Sequence, residues 1–359
     1  MKKFLLFASL LLGVLAIQAA DFQSGALYFN ILIEPADGNP GTVEVAPPPS
    51  GAYELSSASG YSFPASVTYN GNTYNVTAIG VRAFKDAVFH YTGPSSSKVY
   101  PMMWLGDNVQ EIKAEAFMGC QLNLTGFRDA ITTIDPSAYK DNKINWFNSN
   151  NSVYTSDGNG VILSQNGTHL SFFGGVHCSA NVGGTNFVTN YAVASSIVAI
   201  DDYAMSGNAK ITTLNLGSVQ SIGKESCARM SALKTLTIPA TATSIDPDAF
   251  LGTTGITTLN VNLTEPVPGV VFDDAVYERL RDHVNFAANA NIGAFQSDPD
   301  WGKFFSNTYP KLYLAGSFTD WANGKLEMGC DNDGNYTLTV ENVPNGAEFK
   351  FVSEDGNTW

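Results

Sequence analysis

Four histidines, His90, His169, His177 and His283, are the side chains of this sequence best suited to metal or proton chemistry. None belongs to an H-E-x-x-H or an i, i+4 ligand pair, and no G-x-S-x-G nucleophile elbow is present. His177 precedes Cys178, a thiol beside a base, but side chains adjacent in sequence point in different directions, so the pair reads as structural. Asp201 and Asp202 come just after Ile200, and Asp246 and Asp248 just after Ile245, where aspartate serves turns and caps rather than a paired acid and base. The run Asp331-Asn332-Asp333-Gly334-Asn335 suggests calcium, yet Tyr336 stands where an EF-hand loop needs glycine, so a hairpin turn is expected. No catalytic residue, metal ligand or cofactor is therefore expected, and the chain does not read as an enzyme.

Aromatic side chains are the remaining candidates, because a sugar ring presents a flat C–H face that stacks on indole or phenol. Trp321, Tyr336 and Trp359 are the expected ligand-binding residues. Trp321 and Tyr336 also suit a β-sandwich core, as large amphipathic aromatics usually do, whereas Trp359 lies near a loop. Trp104, Trp146 and Trp301 read as packing.

The surroundings of these residues are acidic and weakly charged. The 359 residues carry a formal net charge of −14, which repels phosphate and argues against nucleic acid. Charged residues are 14% of the chain against roughly 25% in ordinary soluble domains, so Ser, Thr, Asn and Gly must cover its surface. That texture suits an extracellular β-rich protein. Met1-Lys2-Lys3, the apolar run Phe4 to Ile17 and the small residues Ala19-Ala20 form a signal peptide over residues 1–20, with the mature chain starting at Ala20 or Asp21. The run is shorter than the about 20 residues of a membrane span, no later stretch is long enough, and no lipid-accepting Cys follows it. Cys120, Cys178, Cys227 and Cys330 lie far apart without Cys-x-x-Cys spacing. Export permits disulfides, and a Cys120–Cys178 bridge stays open, but four cysteines in so long a chain read first as buried thiols.

A repeat organises the middle of the chain. VTAIGVRAF (Val76 to Phe84), VQEIKAEAF (Val109 to Phe117), ITTIDPSAY (Ile131 to Tyr139), IVAIDDYAM (Ile197 to Met205), VQSIGKESC (Val219 to Cys227) and ATSIDPDAF (Ala242 to Phe250) share one pattern. Their anchors, Ile79, Ile112, Ile134, Ile200, Ile222 and Ile245, are separated by 33, 22, 66, 22 and 23 residues, so the period is 22 and the long interval is three periods. Leu214 with Leu216, Leu236 with Ile238 and Leu259 with Val261 alternate as short strands do. One unit cannot bury its own apolar face, so anchors and aromatics must stack into internal ladders of a solenoid with parallel strands.

The I-x-x-x-A-F signature followed by an L-x-L strand resembles the BspA-like leucine-rich repeat surface proteins. SGALYFNIL and VTYNGNTYNVTAIG, from Ser24 to Gly80, resemble the β-rich lead-in of that family. VYTSDGNGVILSQNGTHLSFF (Val153 to Phe173) resembles its inserted hairpin, with Asp157-Gly158 as the turn, and fills the 66-residue interval. VFDDAVYERLRD (Val271 to Asp282) and DWGKF (Asp300 to Phe304) resemble its closing cap. Ser226-Cys227 departs from Ala-Phe, and the register between Ala83 and Ala116 lacks a clear repeat.

From Lys311 the pattern changes to KLYLAGSFTDW and DGNYTLTVENVPNGAEFKFV, in which Tyr336, Leu338 and Val340 alternate with polar residues. These segments resemble the immunoglobulin-like glycan-binding modules of outer-membrane starch-uptake proteins. Such sandwiches need about seven strands and roughly 100 residues, so the module reads as incomplete and the chain is expected to continue past Trp359.

The expected fold is mainly β with short helical turns, a leucine-rich repeat solenoid of about 22-residue units followed by a partial β-sandwich. Its divisions are residues 1–20 signal peptide, 21–75 lead-in, 76–263 solenoid with an insert near 153–173, 264–308 cap and 309–359 incomplete module. The resemblances imply an exported protein on the outer surface of a Gram-negative bacterium or in the extracellular space. Its partner is expected to be an extracellular protein held by the repeats, or an α-glucan-like polysaccharide held by the C-terminal module.

Overall fold

The computed structural model describes residues 20–57, 60–91, 102–176, 187–305, 312–318, 326–330 and 336–353. The chain divides into two compact units, Met1–Gly302 and Lys303–Trp359. Residues 1–19, the body of the expected signal peptide, lie outside the described residues.

The apolar spacing of each repeat becomes two short strands joined by a tight turn. The anchors form a parallel ladder in which Ile79 faces Ile112 and Ile112 faces Ile134. A second run of the ladder aligns Leu170, Ile200, Ile222 and Ile245. All of these side chains are buried. On the opposite side, Leu214, Leu236 and Leu259 align in a second parallel ladder, and Ile238 pairs with Val261. Because each strand is too short to be stable alone, every rung depends on the hydrogen bonds and apolar contacts of its two neighbours. The direct pairing of Ile112 with Ile79 also fixes the doubtful register: the 33-residue interval is a single rung with a longer excursion.

The aromatic positions stack in the same way. Phe84 and Phe117 lie 5.2 Å apart at 6°, Phe117 and Tyr139 5.0 Å apart at 11°, and Phe250 and Phe272 5.1 Å apart at 3°. Met205 and Cys227 occupy the slot in the two units between, fully buried.

Two chemistries close the turn after the anchor. Where no proline is present, the third residue beyond the isoleucine enters the left-handed region: Arg82 at φ 57, Glu115 at 55, Tyr203 at 61 and Glu225 at 48. In the two I-D-P units, the aspartate side chain closes the turn instead. Asp135 Oδ1 accepts the Ser137 N–H at 2.8 Å, and Asp246 Oδ1 accepts the Asp248 N–H at 2.9 Å.

Before the repeats, the strands Phe22–Ser24, Leu27–Ile33 and Gly41–Ala46 run antiparallel, and the last joins the strand Asn72–Ile79 in parallel. Asn70 and Gly71, at φ 49 and 81, form the hairpin turn between Ser66–Tyr69 and Asn72–Ile79, a conformation that Asn-Gly tolerates best. Strands Thr155–Ser156, Ile162–Ser164 and His169–Phe172 form an antiparallel meander whose last strand replaces a repeat rung. The Asp201 N–H donates to the Leu170 carbonyl at 2.9 Å, as Gly223 does to Ile200. Phe173 N–H donates to the Ala204 carbonyl, as Phe117 does to Ala138. Leu170 and Phe173 thus stand in for an anchor and its aromatic.

After the last repeat, helices α1 (Asp274–Leu280) and α2 (Ile292–Ser297) flank a short strand, Asn285–Phe286, that pairs with Thr258–Val261. Trp301 is fully buried beside Phe272 and Phe295, and its Nε1–H donates to the Val267 carbonyl at 2.9 Å. In the C-terminal unit, Leu312–Gly316 lies between Leu326–Glu327 and Phe349–Ser353, all antiparallel, and Gly329–Cys330 pairs with Tyr336–Thr337.

Cys120 and Cys227 are free and buried. Burial pushes the Cys227 thiol up to about 12 and the Cys120 thiol higher still, so neither ionises near neutrality. A variant with Cys178→Ser and Cys330→Ser is expected to release no colour from Ellman's reagent at pH 8 until denaturant is added. Rapid labelling of the folded protein would contradict this burial.

Candidate functional site

The anchor ladder breaks once. The rung Thr133–Ile134 ends one sheet, and the strand His169–Phe172 belongs to the next. On the turn side the same repeats remain in contact. The Asp141 N–H donates to Ser206 Oγ at 3.0 Å, Arg229 Nε reaches Asp141 Oδ1 at 3.0 Å, and Lys140 Nζ lies 4.7 Å over the Tyr203 ring. The inserted meander therefore wedges the array apart on the anchor side alone, leaving a groove of about 730 Å³.

The last rung before the break contributes Ile134 and Pro136 to the groove, and the connection after it contributes Ser152, Val153 and Tyr154. The meander supplies Ser164, His169, Ser171 and Phe172. The following repeats supply the segment 198–202, together with Gln220 and Ser221. Tyr154 makes the broken edge tolerable, since its hydroxyl accepts the Ile134 N–H at 3.0 Å, a donor that a further rung would otherwise take.

Asp201 is the hub of the groove. Its Oδ1 lies 2.8 Å from His169 Nδ1, and its Oδ2 accepts from Ser171 Oγ at 2.6 Å and from Ser164 Oγ at 3.3 Å. Ser171 and Ser164 are themselves 2.8 Å apart. The pairing of His169 with Ala199 and of Leu170 with Ile200 sets this geometry, because alternation along the strand turns Leu170 inward and His169 and Ser171 toward the groove. Asp201 is available because its repeat has no proline. Tyr203 closes the turn in the left-handed conformation, so the aspartate is released from the work Asp135 and Asp246 perform.

This order of groups is not that of a nucleophile and its base. Ser171 bonds the carboxylate rather than His169, so nothing draws its proton toward the imidazole. Among the described residues, no group of three or more His, Cys, Asp or Glu side chains is placed to hold a metal ion.

The sequence reading singled out other residues. Trp321 and Trp359 lie outside the described residues, as do His177, Cys178 and the Asp331–Asn335 run. Tyr336 is half-buried in the short pair with Gly329–Cys330. Trp104 carries the Arg128 guanidinium 5.4 Å over its ring. In the sequence, His169 stands out only as a histidine and Asp201 only as a turn or cap residue, and nothing joins them to Ser164 and Ser171, because the four span 37 positions without a shared motif. Two signals were nonetheless present: polar residues alternating along the insert, and an I-D-D unit lacking the proline of I-D-P.

Residues 95–163 and 184–274 match, in six copies, the model of the BspA type leucine rich repeat region. Over those residues the array is similar to BspA-type leucine-rich repeats, and the fold is mainly β. Among solved structures, a leucine rich cell surface protein from Faecalibacterium prausnitzii A2-165 is 14% identical, with a TM-score of 0.37, covering 74% of this chain and 94% of its own. A leucine-rich repeat protein from Eubacterium ventriosum is 15% identical, with a TM-score of 0.37, covering 69% and 76%. One from Bacteroides ovatus is 14% identical, with a TM-score of 0.34, covering 75% and 77%. No curated protein matches this chain.

Proposed function

We propose that this chain is an exported, non-enzymatic surface protein that binds an extracellular protein partner through the groove in its solenoid. The observation that carries this reading is the wedge itself. A repeat array normally offers an even ladder, and here an insert opens it into a concavity with exposed apolar rims, Val153 and Val198, around convergent polar groups. Among the described residues no helix is long and apolar enough to cross a membrane. The test is adhesion of the full chain to a panel of immobilised extracellular-matrix proteins. Ser221→Trp, which fills the groove, is expected to abolish any binding found, while Thr235→Trp on the other ladder leaves it intact. Binding that survives Ser221→Trp would remove the groove from the function.

A second reading, α-glucan binding by the C-terminal segment through Trp321, Tyr336 and Trp359, has one supporting feature. Phe349 and Phe351, with rings 6.0 Å apart, are 59% and 40% exposed. Retention on immobilised amylose that disappears with Trp359→Ala is its expected result, and equal retention of both proteins would refute it.

A further inference from the structure

The protons of the groove network are all spent inward. Asp201 accepts, so His169 Nδ1 carries the hydrogen between them, and in the uncharged form of the ring Nε2 presents a lone pair. His169 Nε2 has no partner among the described residues, and the His169 side chain is 32% exposed. The Ser171 and Ser164 hydroxyls likewise direct their hydrogens to Asp201 or to each other, and both oxygens belong to residues that line the groove. Asp202 adds a carboxylate that uses one oxygen, Oδ1, to accept the Lys224 N–H at 2.7 Å. The lining holds two carboxylates and no lysine or arginine. The amides of Gln165, Asn166 and Gln220 serve as donor or acceptor and do not select.

From this excess of acceptors, and resting on the groove being the partner-binding site, we propose that the groove receives a loop of its protein partner through a positively charged, donor-only side chain, arginine or lysine. A cation of this kind finds what the site offers: lone pairs at His169 Nε2 and the two hydroxyls, and negative charge at Asp201 and Asp202. Its aliphatic stem fits against the apolar lining of Ile134, Tyr154, Val198 and Ile200. An anionic side chain meets like charge, and a neutral carbonyl finds donors only in the amides and in the Ser152, Tyr154 and Ser221 hydroxyls and leaves both carboxylates uncompensated. A neutral polyol satisfies some lone pairs but leaves the carboxylates uncompensated.

The experiment uses the full chain with 15N-labelled histidine rings, His169 being assigned by His169→Gln, and the probe Nα-acetyl-arginine methylamide. Its neutral isostere, the corresponding citrulline derivative, is the control. Saturable movement of the His169 ring signals by the arginine probe is expected, at an affinity at least tenfold above that of the citrulline derivative. Asp201→Asn is expected to lower that affinity about tenfold. Asp202→Asn, which keeps the acceptor for the Lys224 N–H, provides a second variant if Asp201→Asn fails to fold, and is expected to lower it several-fold. No saturable shift, or equal affinities for the two probes, would overturn the proposal. Its failure is separable from failure of the binding role. Matrix adhesion lost in Ser221→Trp without an arginine response keeps the groove and removes the cation, whereas an arginine response with adhesion unchanged in Ser221→Trp removes the groove as the partner site.

Discussion

Phe117→Ala is expected to lower the unfolding free energy by about 3–5 kcal/mol, the cost of removing a fully buried aromatic and leaving a cavity. Phe117 is fully buried and stacks on two neighbours, Phe84 at 5.2 Å and Tyr139 at 5.0 Å. Its loss therefore breaks the ladder on both sides, and in a solenoid the coupling between adjacent units is the main source of stability. Equilibrium urea unfolding measures the change. A loss under about 1 kcal/mol would show that stacking along this ladder contributes little. Phe117→Leu keeps most of the volume and is expected to recover more than half of the loss.

Glu225→Gln carries the second large effect, at the junction where the insert wedges the array. Glu225 Oε2 stands 2.6 Å from Arg229 Nη2 and 2.8 Å from Lys140 Nζ, and Arg229 Nε reaches Asp141 Oδ1 at 3.0 Å. Lys140 and Asp141 belong to the unit before the insert, Glu225 and Arg229 to a unit after it. The charges thus hold the turn side closed while the anchor side is open. Burial favours the neutral acid, but Lys140 and Arg229 outweigh it and hold the Glu225 carboxyl below its ordinary range. Removing the charge leaves two cations facing Asp141 alone. The expected cost at neutral pH is about 2 kcal/mol, under the roughly 3–5 kcal/mol of a fully buried pair because these side chains are partly solvated.

The pH dependence follows in sign. A depressed folded pKa stabilises the protein above the unfolded carboxylate value of about 4.3, and that stabilisation disappears as pH falls through the lower folded value. The gap between wild type and Glu225→Gln in urea midpoint is therefore expected to be full at pH 7 and to narrow as pH falls below the unfolded value of about 4.3 and through the lower folded one. A gap unchanged with pH would mean that the charge of Glu225 is not what holds the junction.

The repeat and its interior were readable in the primary structure because they rest on local periodicity. An apolar residue every 22 positions has one way to be buried, by stacking on its equivalents, and Ile79, Ile112, Ile134, Ile200, Ile222 and Ile245 do so. Cys227 in an aromatic slot was legible for the same reason. The register across the 33-residue interval was not, since a loop of any length can return a strand to its neighbour at small entropic cost.

The groove was beyond local inference altogether. Period and composition established an acidic repeat array, sparse in charged residues, with a 66-residue gap, and the family resemblance implied a hairpin in that gap. Whether that insert would continue the ladder, hang outside it or split it depends on which of its strands pairs with the next repeat. The pairing of His169–Phe172 with Ala199–Ile200, rather than with Thr133–Ile134, opens the anchor side and turns His169 and Ser171 toward Asp201. Hydrogen-bond partners between segments 30 residues and more apart are chosen by the packing of the assembled rungs, and no single segment carries that choice in its own residues.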